Sequence, residues 1–458
     1  MPLRVLTAGE SHGPVQVAIV DGMIAGLPVT AADVDALLAR RQLGHGRGGR
    51  MKIEKDRVKL LSGVRNGVTT GGPITLLVDN NDFKNWILAM SPEPVGEDEA
   101  DRRQAIAARH IARLRPGHAD FAGAVKYALS DVRDVLERSS ARETVARVGA
   151  GALAAHLLRQ VGIEVTSHVV ALGGIEARPV FSGIEDLRAK AEPSPVRCAD
   201  PEASAAMVEL IDCTGKGGDS LGGVCEIVAT GLPVGLGSYV QWDRRLDGRL
   251  AQALMSIPAI KGVEVGLGFE MAHLTGSQVH DTFEPRFGRP TNNAGGLEGG
   301  VTNGQPLVVR IAMKPISTLR RPLPSVTWPD GESTSAHFER ADVCAVPAAG
   351  VIGEAMVAWV LADALLDKVG GDSFEEFLAH LKTTRDAQPA ISKSGSASES
   401  VSEALTGSRS GRDDRRGSPA GTAPHTRAAG TAPHTRAAGT APHTRAAGTA
   451  PDPEDTAE

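Results

Sequence analysis

Several histidines and arginines lie in short stretches that also contain glycine or begin a predicted helix. His12 lies in GESHG, and His118 lies in RPGHAD beside Arg115 and Asp120. An imidazole is suited to proton transfer near neutral pH, and a guanidinium offers forked hydrogen-bond donors to phosphate or carboxylate. A single histidine of this kind is more often structural than catalytic. Two histidines in Gly-flanked turns, together with several arginine motifs in turns or at helix starts, predict an active site for a multiply anionic ligand.

The stretch RRQLGHGRGGRM, residues 40–51, holds four arginines among four glycines. Gly44, Gly46 and Gly49 match the pattern of a dinucleotide-binding loop, but such a loop leaves a strand and opens a helix. This stretch instead follows a predicted helix and precedes an extended segment. RNA-binding tracts normally repeat and carry aromatic residues for stacking, and this stretch does neither. We interpret it as a loop for a small anion, with a solvated surface loop as the alternative.

Three further motifs add charged side chains to the same hypothesis. RSSARE places Arg138 and Arg142 around a predicted helix start, where free backbone N–H groups favour an anion. KPIST contributes Lys314, and ERADVCAVPAAG contributes Arg340 and Asp342. The sequence contains no serine elbow, zinc-protease motif or P-loop that would indicate another chemistry.

Composition limits the classes of protein to which the chain can belong. It carries 49 basic and 55 acidic residues, for a net charge of −6, which disfavours nucleic acid as a general partner. The four cysteines lack the spacing of a metal site, so we expect reduced thiols and no bound metal. We find no signal-peptide pattern and no uninterrupted apolar run of about eighteen residues. The chain is therefore predicted to be soluble and cytoplasmic, with no membrane contact.

The composition changes abruptly near residue 386. Beyond it, GTAPHTRAA occurs three times in succession, and no unit has an apolar face to bury. We predict a folded domain over 1–385 and a disordered tail over 386–458. The tail histidines could bind metal weakly, although a passive tail is the simpler interpretation.

Strand and helix patterns alternate through the first 385 residues. VQVAIV at 15–20 predicts a strand, and 57–78 predicts strands around an Asn-Gly turn. Thr30 and Asp33 predict a capping box for a helix whose buried stripe holds Val34, Leu37 and Leu38.

The later part of the domain predicts three more helices. One should begin at Ser140, with Glu143 completing a capping box and an inward face formed by Val145, Val148, Leu153 and Leu157. Residues 349–369 are apolar on nearly all sides, which predicts a buried helix that ends at Gly370-Gly371. Ser373 and Glu376 should cap a last helix carrying Phe374, Phe377, Leu378 and Leu381. These patterns predict an α+β fold.

Taken together, the motifs resemble those of the chorismate synthase family. They occur in order over residues 1 to about 385: GESHG, RRQLGHGRGGRM, SGVRNGVTTGGPI, RPGHAD, RSSARET, AIKGVEVGLGF, NNAGGLEGGVTNGQP, KPIST and RADVCAVPAAGVIGEAM. Only the repeat tail departs from the family pattern. The resemblance implies a β-α-β sandwich, in which a helical layer lies between two antiparallel sheets, and a homotetramer.

The resemblance also implies a reaction. The family eliminates phosphate from 5-enolpyruvylshikimate 3-phosphate in the trans-1,4 sense, in the shikimate pathway. It requires reduced FMN without net redox change, and NADPH can be the source of electrons in members that reduce their own flavin. Whether this chain is such a member is left open by the sequence.

Catalytic roles follow from the matching motifs. His12 would protonate the departing phosphate as a general acid. His118 would lie at the N1/O2 edge of the flavin and set the protonation state of reduced FMN. Asp342 would relay the proton that leaves substrate C6 by way of flavin N5.

The resemblance assigns the remaining residues to binding. The implied substrate clamp consists of Arg41, Arg47, Arg50, Arg115, Arg142 and Arg340. Arg41 and Arg47 would contact either substrate or the NADP phosphate. The implied FMN contacts are Arg138, Ser139, Ser140, Pro258, Ala259, Gly299, Lys314, Pro315, Ile316, Ser317, Thr318 and Arg340.

Two alternatives from other classes remain at this point. One is a flavin-dependent oxidoreductase with net hydride transfer, and the other is an RNA- or anion-binding module that uses the stretch at residues 40–51, here called the Gly-Arg loop. Net consumption of reductant during turnover would indicate the oxidoreductase. Salt-sensitive RNA binding would indicate the binding module.

Overall fold

A computed structural model describes residues 2–48, 55–96, 98–339 and 341–390. Two arginines of the implied substrate clamp, Arg50 and Arg340, lie outside the described residues. Residues 391–458, which hold the repeats, also lie outside them, so the predicted disorder of the tail stays a prediction. The described residues belong to one compact unit.

The strands of the described residues form two antiparallel sheets and three short hairpins. In chain order they are β1 (Arg4–Ala8), β2 (Val15–Asp21), β3 (Val58–Leu60), β4 (Val64–Arg65), β5 (Val68–Thr69), β6 (Ile74–Asp79), β7 (Glu164–Leu172), β8 (Ile175–Glu176), β9 (Gly223–Thr230), β10 (Ile260–Val265), β11 (Leu297–Glu298), β12 (Val301–Thr302), β13 (Leu307–Met313), β14 (Pro324–Val326) and β15 (Ser333–Ser335).

The first sheet has the order β1-β2-β6-β3, with every neighbouring pair antiparallel. Its inward face follows from the alternation of side chains along a strand. Ala18 and Val20 of β2 lie opposite Leu76 and Ile74 of β6, and all four are buried. The predicted strand over 15–20 is therefore confirmed.

The segment 57–78 contains the predicted turn. Asn66 and Gly67 have φ values of 51° and 76° between the paired strands β4 and β5. Two consecutive positive φ values are what a two-residue hairpin of matching twist requires, and Asn-Gly adopts them at low cost.

The second sheet has the order β10-β13-β9-β7-β8 and is also antiparallel. Its central strand β9 is buried continuously from Cys225 to Ala229. Apart from Glu226 this run is apolar, as is typical of a strand covered on both faces, because neither face meets water.

The helices fill the space between and around the sheets. In chain order they are α1 (Ala31–Gln42), α2 (Ala100–Arg109), α3 (Asp120–Tyr127), α4 (Val132–Ser139), α5 (Thr144–Arg159), α6 (Ile184–Ala191), α7 (Pro201–Lys216), α8 (Leu246–Met255), α9 (Gly276–Val279), α10 (Val346–Val369) and α11 (Phe374–Asp386). Short 3₁₀ turns occur at Asn81–Asn85, Ala141–Glu143, Trp242–Arg244, Gly268–His273 and Pro285–Phe287.

Helices α5 and α10 form the layer between the sheets. Helix α5 packs on β2 and β6 of the first sheet, α10 packs on β7 and β9 of the second, and the two helices pack on each other. A Cβ atom at Gly151 of α5 would lie 2.5 Å from the Cβ atom of Ala355 in α10. Glycine at this position therefore permits the close helix approach, and the predicted β-α-β sandwich is confirmed.

Helix α10 is the most apolar helix of the described residues. By length and composition it could cross a membrane, but 89% of its apolar window is buried inside the molecule. It begins at Val346, three residues before the predicted start, with Pro347 in its first turn. It ends as predicted at Gly370, whose φ is 70°.

Helix caps were predicted correctly in two of three places. The Thr30/Asp33 and Ser373/Glu376 capping boxes are both present. The box predicted for Ser140 and Glu143 is wrong, because the chain first makes the 3₁₀ turn Ala141–Glu143 and α5 begins at Thr144. The hydroxyl of Ser140 accepts the Arg142 N–H and donates to the Ser11 hydroxyl. The Glu143 carboxylate accepts instead from Arg147.

Candidate active site

One cavity, with a volume of about 1410 Å³, collects side chains from loops at the ends of both sheets and from helix ends. Within the part of the chain that is described, ten of the lining side chains are basic and four are acidic. The basic side chains are Arg41, Arg47, Arg109, Arg115, Arg133, Arg138, Arg142, Arg147, Lys261 and Lys314. This excess of positive charge favours a multiply anionic ligand, as the motifs predicted.

Most of the predicted site residues line this cavity. They are His12, Arg41, Arg47, Arg115, His118, Arg138, Ser139, Ser140, Arg142, Pro258, Ala259, Lys314, Ile316, Ser317, Thr318 and Asp342. Pro315 belongs to the same segment but is exposed and does not line the cavity. Gly299 is exposed and also lies elsewhere, in the turn between β11 and β12, near the side chain of Tyr239.

His12 is held by the turn that joins β1 to β2. Its Nδ1 lies 2.7 Å from Oε1 of Glu137 in α4, and its ring stacks on Trp86 at a centroid distance of 3.9 Å. The guanidinium groups of Arg109 and Arg133 lie over the Trp86 ring. The His12 side chain is 10% exposed and reaches the cavity. The ring is thus fixed both in its plane and on one face.

His118 is held within its own turn. Its Nδ1 lies 2.5 Å from Oδ1 of Asp120, and both carboxylate oxygens of Asp120 accept hydrogen bonds from Arg115. Burial alone would raise the pKa of the Asp120 carboxyl, but the hydrogen bonds from Arg115 and His118 outweigh burial and hold it well below its usual range. Asp120 is therefore an ionised anchor for both neighbours.

Two predicted arginines meet over one buried carboxylate. Asp56 Oδ1 accepts from Arg142 at 2.6 Å, and Asp56 Oδ2 accepts from Arg41 at 3.3 Å. Arg41 also donates to the Thr144 hydroxyl. Burial lowers the pKa of Arg41 to about 10, with Asp56 opposing the effect and the neighbouring arginines adding to it. Arg41 is still a cation at neutral pH.

The Gly-Arg loop packs against the segment that carries Asp342. Arg47 pairs with the Asp342 carboxylate at 3.3 Å, and the Gly48 N–H donates to it at 2.6 Å. Gly46 has a φ of 82°, and a Cβ atom there would lie 2.7 Å from Cγ2 of Ile211. The glycines therefore serve close packing around an arginine-carboxylate pair. In the described residues the loop follows helix α1, whereas a dinucleotide-binding loop follows a strand, so the structure does not fit the dinucleotide interpretation.

A second part of the wall combines apolar surface with a cation. Pro258 and Ala259 follow α8 and line the cavity, and Ala259 has a φ of 69°. The Lys314 ammonium donates to the Gly117 carbonyl in the turn that carries His118. Burial, with Lys261 nearby, lowers the pKa of Lys314.

Several side chains of the site were missed by sequence reasoning. Glu137 immediately precedes RSSARE, so its adjacency to a recognised motif was the available signal. Trp86 is one of only four tryptophans, but nothing in its neighbourhood predicts that it lies under His12. Asp56 and Arg133 reach the site only through tertiary packing.

The chain is similar to known proteins over most of its length. The family model described as chorismate synthase matches residues 3–366. The chorismate synthase of Desulforudis audaxviator (strain MP104C) is 57% identical over 380 residues, which cover 82% of this chain and 95% of that protein. The chorismate synthase of Shouchella clausii (strain KSM-K16) is 54% identical over 375 residues, covering 81% of this chain and 95% of that protein.

A solved structure agrees with the sequence relatives. A crystal structure of chorismate synthase matches with a TM-score of 0.67 and 41% identity, covering 84% of this chain and 98% of that one. At this identity and coverage, the match extends to the sequence as well as to the fold. The chain belongs to the chorismate synthase family.

Proposed function

We propose that the cavity is where this chain eliminates phosphate from 5-enolpyruvylshikimate 3-phosphate. The family's reaction is the trans-1,4 elimination that gives chorismate in the shikimate pathway, and its members are carbon–oxygen lyases that act on phosphates. The substrate carries two carboxylates and one phosphate. The observation that carries the proposal is the convergence of ten basic side chains and two carboxylate-held histidines on one cavity.

The arginines act as the substrate clamp. Arg41, Arg47, Arg115 and Arg142 each pair with a carboxylate that fixes the direction of the guanidinium. A pre-oriented cation stabilises charge that develops on a leaving phosphate without reorganising during the reaction. Arg50 and Arg340 complete the proposed clamp on the strength of the family motifs.

His12 donates the proton to the departing phosphate. It lines the cavity, and a general acid must come within hydrogen-bond reach of the group that it protonates. Asp342 lines the same cavity beside Arg47 and is assigned to the proton that leaves substrate C6. The two residues thus have complementary tasks, one giving a proton and the other taking one.

The family requires a reduced flavin, and the finer assignment is reduced FMN in this cavity. When bound, reduced FMN supplies electron density to the reacting carbon and recovers it, so that no net redox change results. The volume of about 1410 Å³ exceeds the range of roughly 300–1,000 Å³ that is usual for one small ligand, which suits two. Cationic Lys314 and Arg138 with the apolar Pro258–Ala259 wall suit an anionic ring system and a phosphate.

His118 is assigned to the flavin, because its turn is joined to Lys314 through the Gly117 carbonyl. Its Nδ1 is held by Asp120, so the imidazole can present only Nε2 to a ligand. We assign it the task of setting the protonation state of the reduced ring.

Three finer points extend the proposal. NADPH is a possible electron source, with Arg41 and Arg47 as the candidate contacts for its phosphate. The assembly is a homotetramer, which is supported by large apolar side chains left exposed on this chain, among them Tyr239, Trp242 and Phe269. The location is the cytoplasm.

An anaerobic assay with the enolpyruvyl substrate, FMN and dithionite tests the proposal. Chorismate should form only when the flavin is reduced, and consumption of reductant should not rise with product. Stoichiometric consumption would instead support the oxidoreductase alternative. Turnover with NADPH as the sole reductant would show that the chain reduces its own flavin.

A further inference from the structure

Two atoms of His12 contact a single buried carboxylate. Its Nδ1 lies 2.7 Å from Glu137 Oε1, and its backbone N–H donates to Glu137 Oε2 at 2.7 Å. The Glu137 side chain is only 2% exposed. Both oxygens are thus used to hold one residue, which links the position of the His12 backbone to the orientation of its ring.

The contact determines which nitrogen carries the mobile proton. An ionised carboxylate only accepts hydrogen bonds, so the Nδ1 beside Glu137 must carry a hydrogen. The proton that can leave is then the one on Nε2, which has no hydrogen-bond partner among the described residues. The Nε2–H bond lies in the plane of the ring, so a ligand accepts the proton in that plane, and Trp86 covers one face of the ring.

The charge of Glu137 is compensated by a neighbouring arginine. Arg133 NH1 lies 3.5 Å from Glu137 Oε1 and 2.7 Å from Glu339 Oε1. A buried carboxylate without such a partner would leave an uncompensated charge away from water. The buried carboxylate of Glu137 therefore lies between a cation and an imidazole, and both Arg133 and His12 line the cavity.

We propose that Glu137 is a positioning residue for proton transfer by His12. It holds Nδ1–H, directs the Nε2 proton into the cavity and stabilises the imidazolium before transfer. When the Nε2–H bond breaks, the proton goes to the phosphate oxygen and its electron pair stays on Nε2, while Nδ1–H remains with Glu137. The inference rests on the proposed role of His12 as general acid.

Glu137→Gln is the test variant. Glutamine has the shape of glutamate, but one of the two accepting oxygens is replaced by a donating NH₂ group. If its oxygen accepts the His12 backbone N–H, its NH₂ group faces Nδ1, which must then be an unprotonated acceptor. We expect kcat to fall about 10²-fold, with KM and FMN affinity changed less than about twofold. ¹⁵N NMR of labelled histidine should show that His12 switches from Nδ1–H to Nε2–H. Glu137→Asp should recover part of the rate, because a carboxylate returns.

Glu226→Gln is a matched control. Glu226 is also a buried carboxylate beside a buried histidine, with 3.1 Å between Glu226 Oε1 and His168 Nε2, but neither residue lines the cavity. This variant should lower the melting temperature and leave kcat unchanged. If kcat fell as much in Glu226→Gln as in Glu137→Gln, the loss in Glu137→Gln would reflect general destabilisation of the fold. That result would overturn the inference.

The double variant His12→Ala/Glu137→Gln separates this inference from the proposed function. If Glu137 acts through His12, the double variant should be no slower than His12→Ala alone. Full activity of His12→Ala would overturn the proposed role of His12 itself. A slow His12→Ala together with unchanged kcat or an unchanged His12 tautomer in Glu137→Gln would overturn the role of Glu137 alone. Additive losses in the double variant would also overturn it.

Discussion

The two sides of the cavity hold their histidines by different means. His118 Nδ1 is bound by a carboxylate two residues along the chain, whereas His12 Nδ1 is bound by one that lies 125 residues away. On the His118 side, Arg115 donates to both oxygens of the carboxylate. On the His12 side, the nearest guanidinium is 3.5 Å from the carboxylate and belongs to Arg133.

The difference separates a local motif from a tertiary one. The His118 anchor is complete within a single turn, so its hydrogen bonds form wherever that turn forms. The His12 anchor exists only when the β1–β2 turn packs against α4. We therefore expect the two sides to respond differently to substitution, although each presents an imidazole to the same cavity.

Removing His12 should have the largest effect. His12→Ala should lower turnover by roughly 10²- to 10⁴-fold, the usual weight of general acid catalysis, and leave the spectrum of bound reduced flavin unchanged. Anaerobic assays and thermal melts check this. If His12→Ala melts at a lower temperature but turns over at the wild-type rate, His12 only stabilises its turn.

Substitutions in the Gly-Arg loop should have the next largest effect. They should weaken substrate binding and leave the two histidines in place. Arg47→Ala removes a charge-assisted interaction worth roughly 1.5–3 kcal/mol, so substrate should bind about tenfold to a hundredfold more weakly. Arg50→Ala should behave likewise. Arg65→Ala is the control, because Arg65 is exposed on β4 and does not line the cavity.

Equilibrium binding of substrate and of FMN to each variant measures the effect. FMN bound alone should be affected less than substrate. If both loop variants bind substrate as tightly as the wild type, residues 40–51 form a solvated surface loop and not an anion site.

The local anchor of His118 should show in stability as a function of pH. Because the folded-state pKa of Asp120 is held below its usual value, its contribution to stability is present above that value and is lost as the pH falls toward the folded pKa. Asp120→Asn should lower the melting temperature by roughly 2–6 °C at pH 7.

The difference in melting temperature between the wild type and Asp120→Asn should narrow as the pH falls below about 3.8. Melts from pH 7 to pH 3 measure it. A gap that is constant over this range would mean that ionisation of Asp120 does not stabilise the fold.

The same contrast explains how much could be predicted from the sequence. Four of the helices (α1, α5, α10 and α11) and the strands within 15–20 and 57–78 followed from periodicity and caps, and RPGHAD displayed both His118 and its carboxylate. Glu137, Trp86 and Asp56 could not be assigned, because their contacts span long stretches of chain and depend on packing. The failed capping box at Ser140 has a similar cause, since the Ser140 hydroxyl bonds to Ser11 across the fold.

The smallest effect is expected from the tail. Deleting residues 391–458 should leave turnover and melting temperature nearly unchanged, because the repeats have no apolar face to bury. A longer deletion from residue 374 is the control, since it removes α11 with its buried Phe377 and Leu381 and should destabilise the fold. A change in oligomeric state or activity after the shorter deletion would show that the tail is part of the working assembly.

The central claim is that the two histidines divide the work, His12 acting on phosphate and His118 on the flavin. Stopped-flow absorbance of bound reduced FMN, recorded over a range of pH in His12→Ala and His118→Ala, tests it most directly. We predict that the pH at which bound reduced FMN becomes the anion shifts in His118→Ala and stays at the wild-type position in His12→Ala. Identical flavin spectra and pH profiles in the two variants would contradict the division of roles.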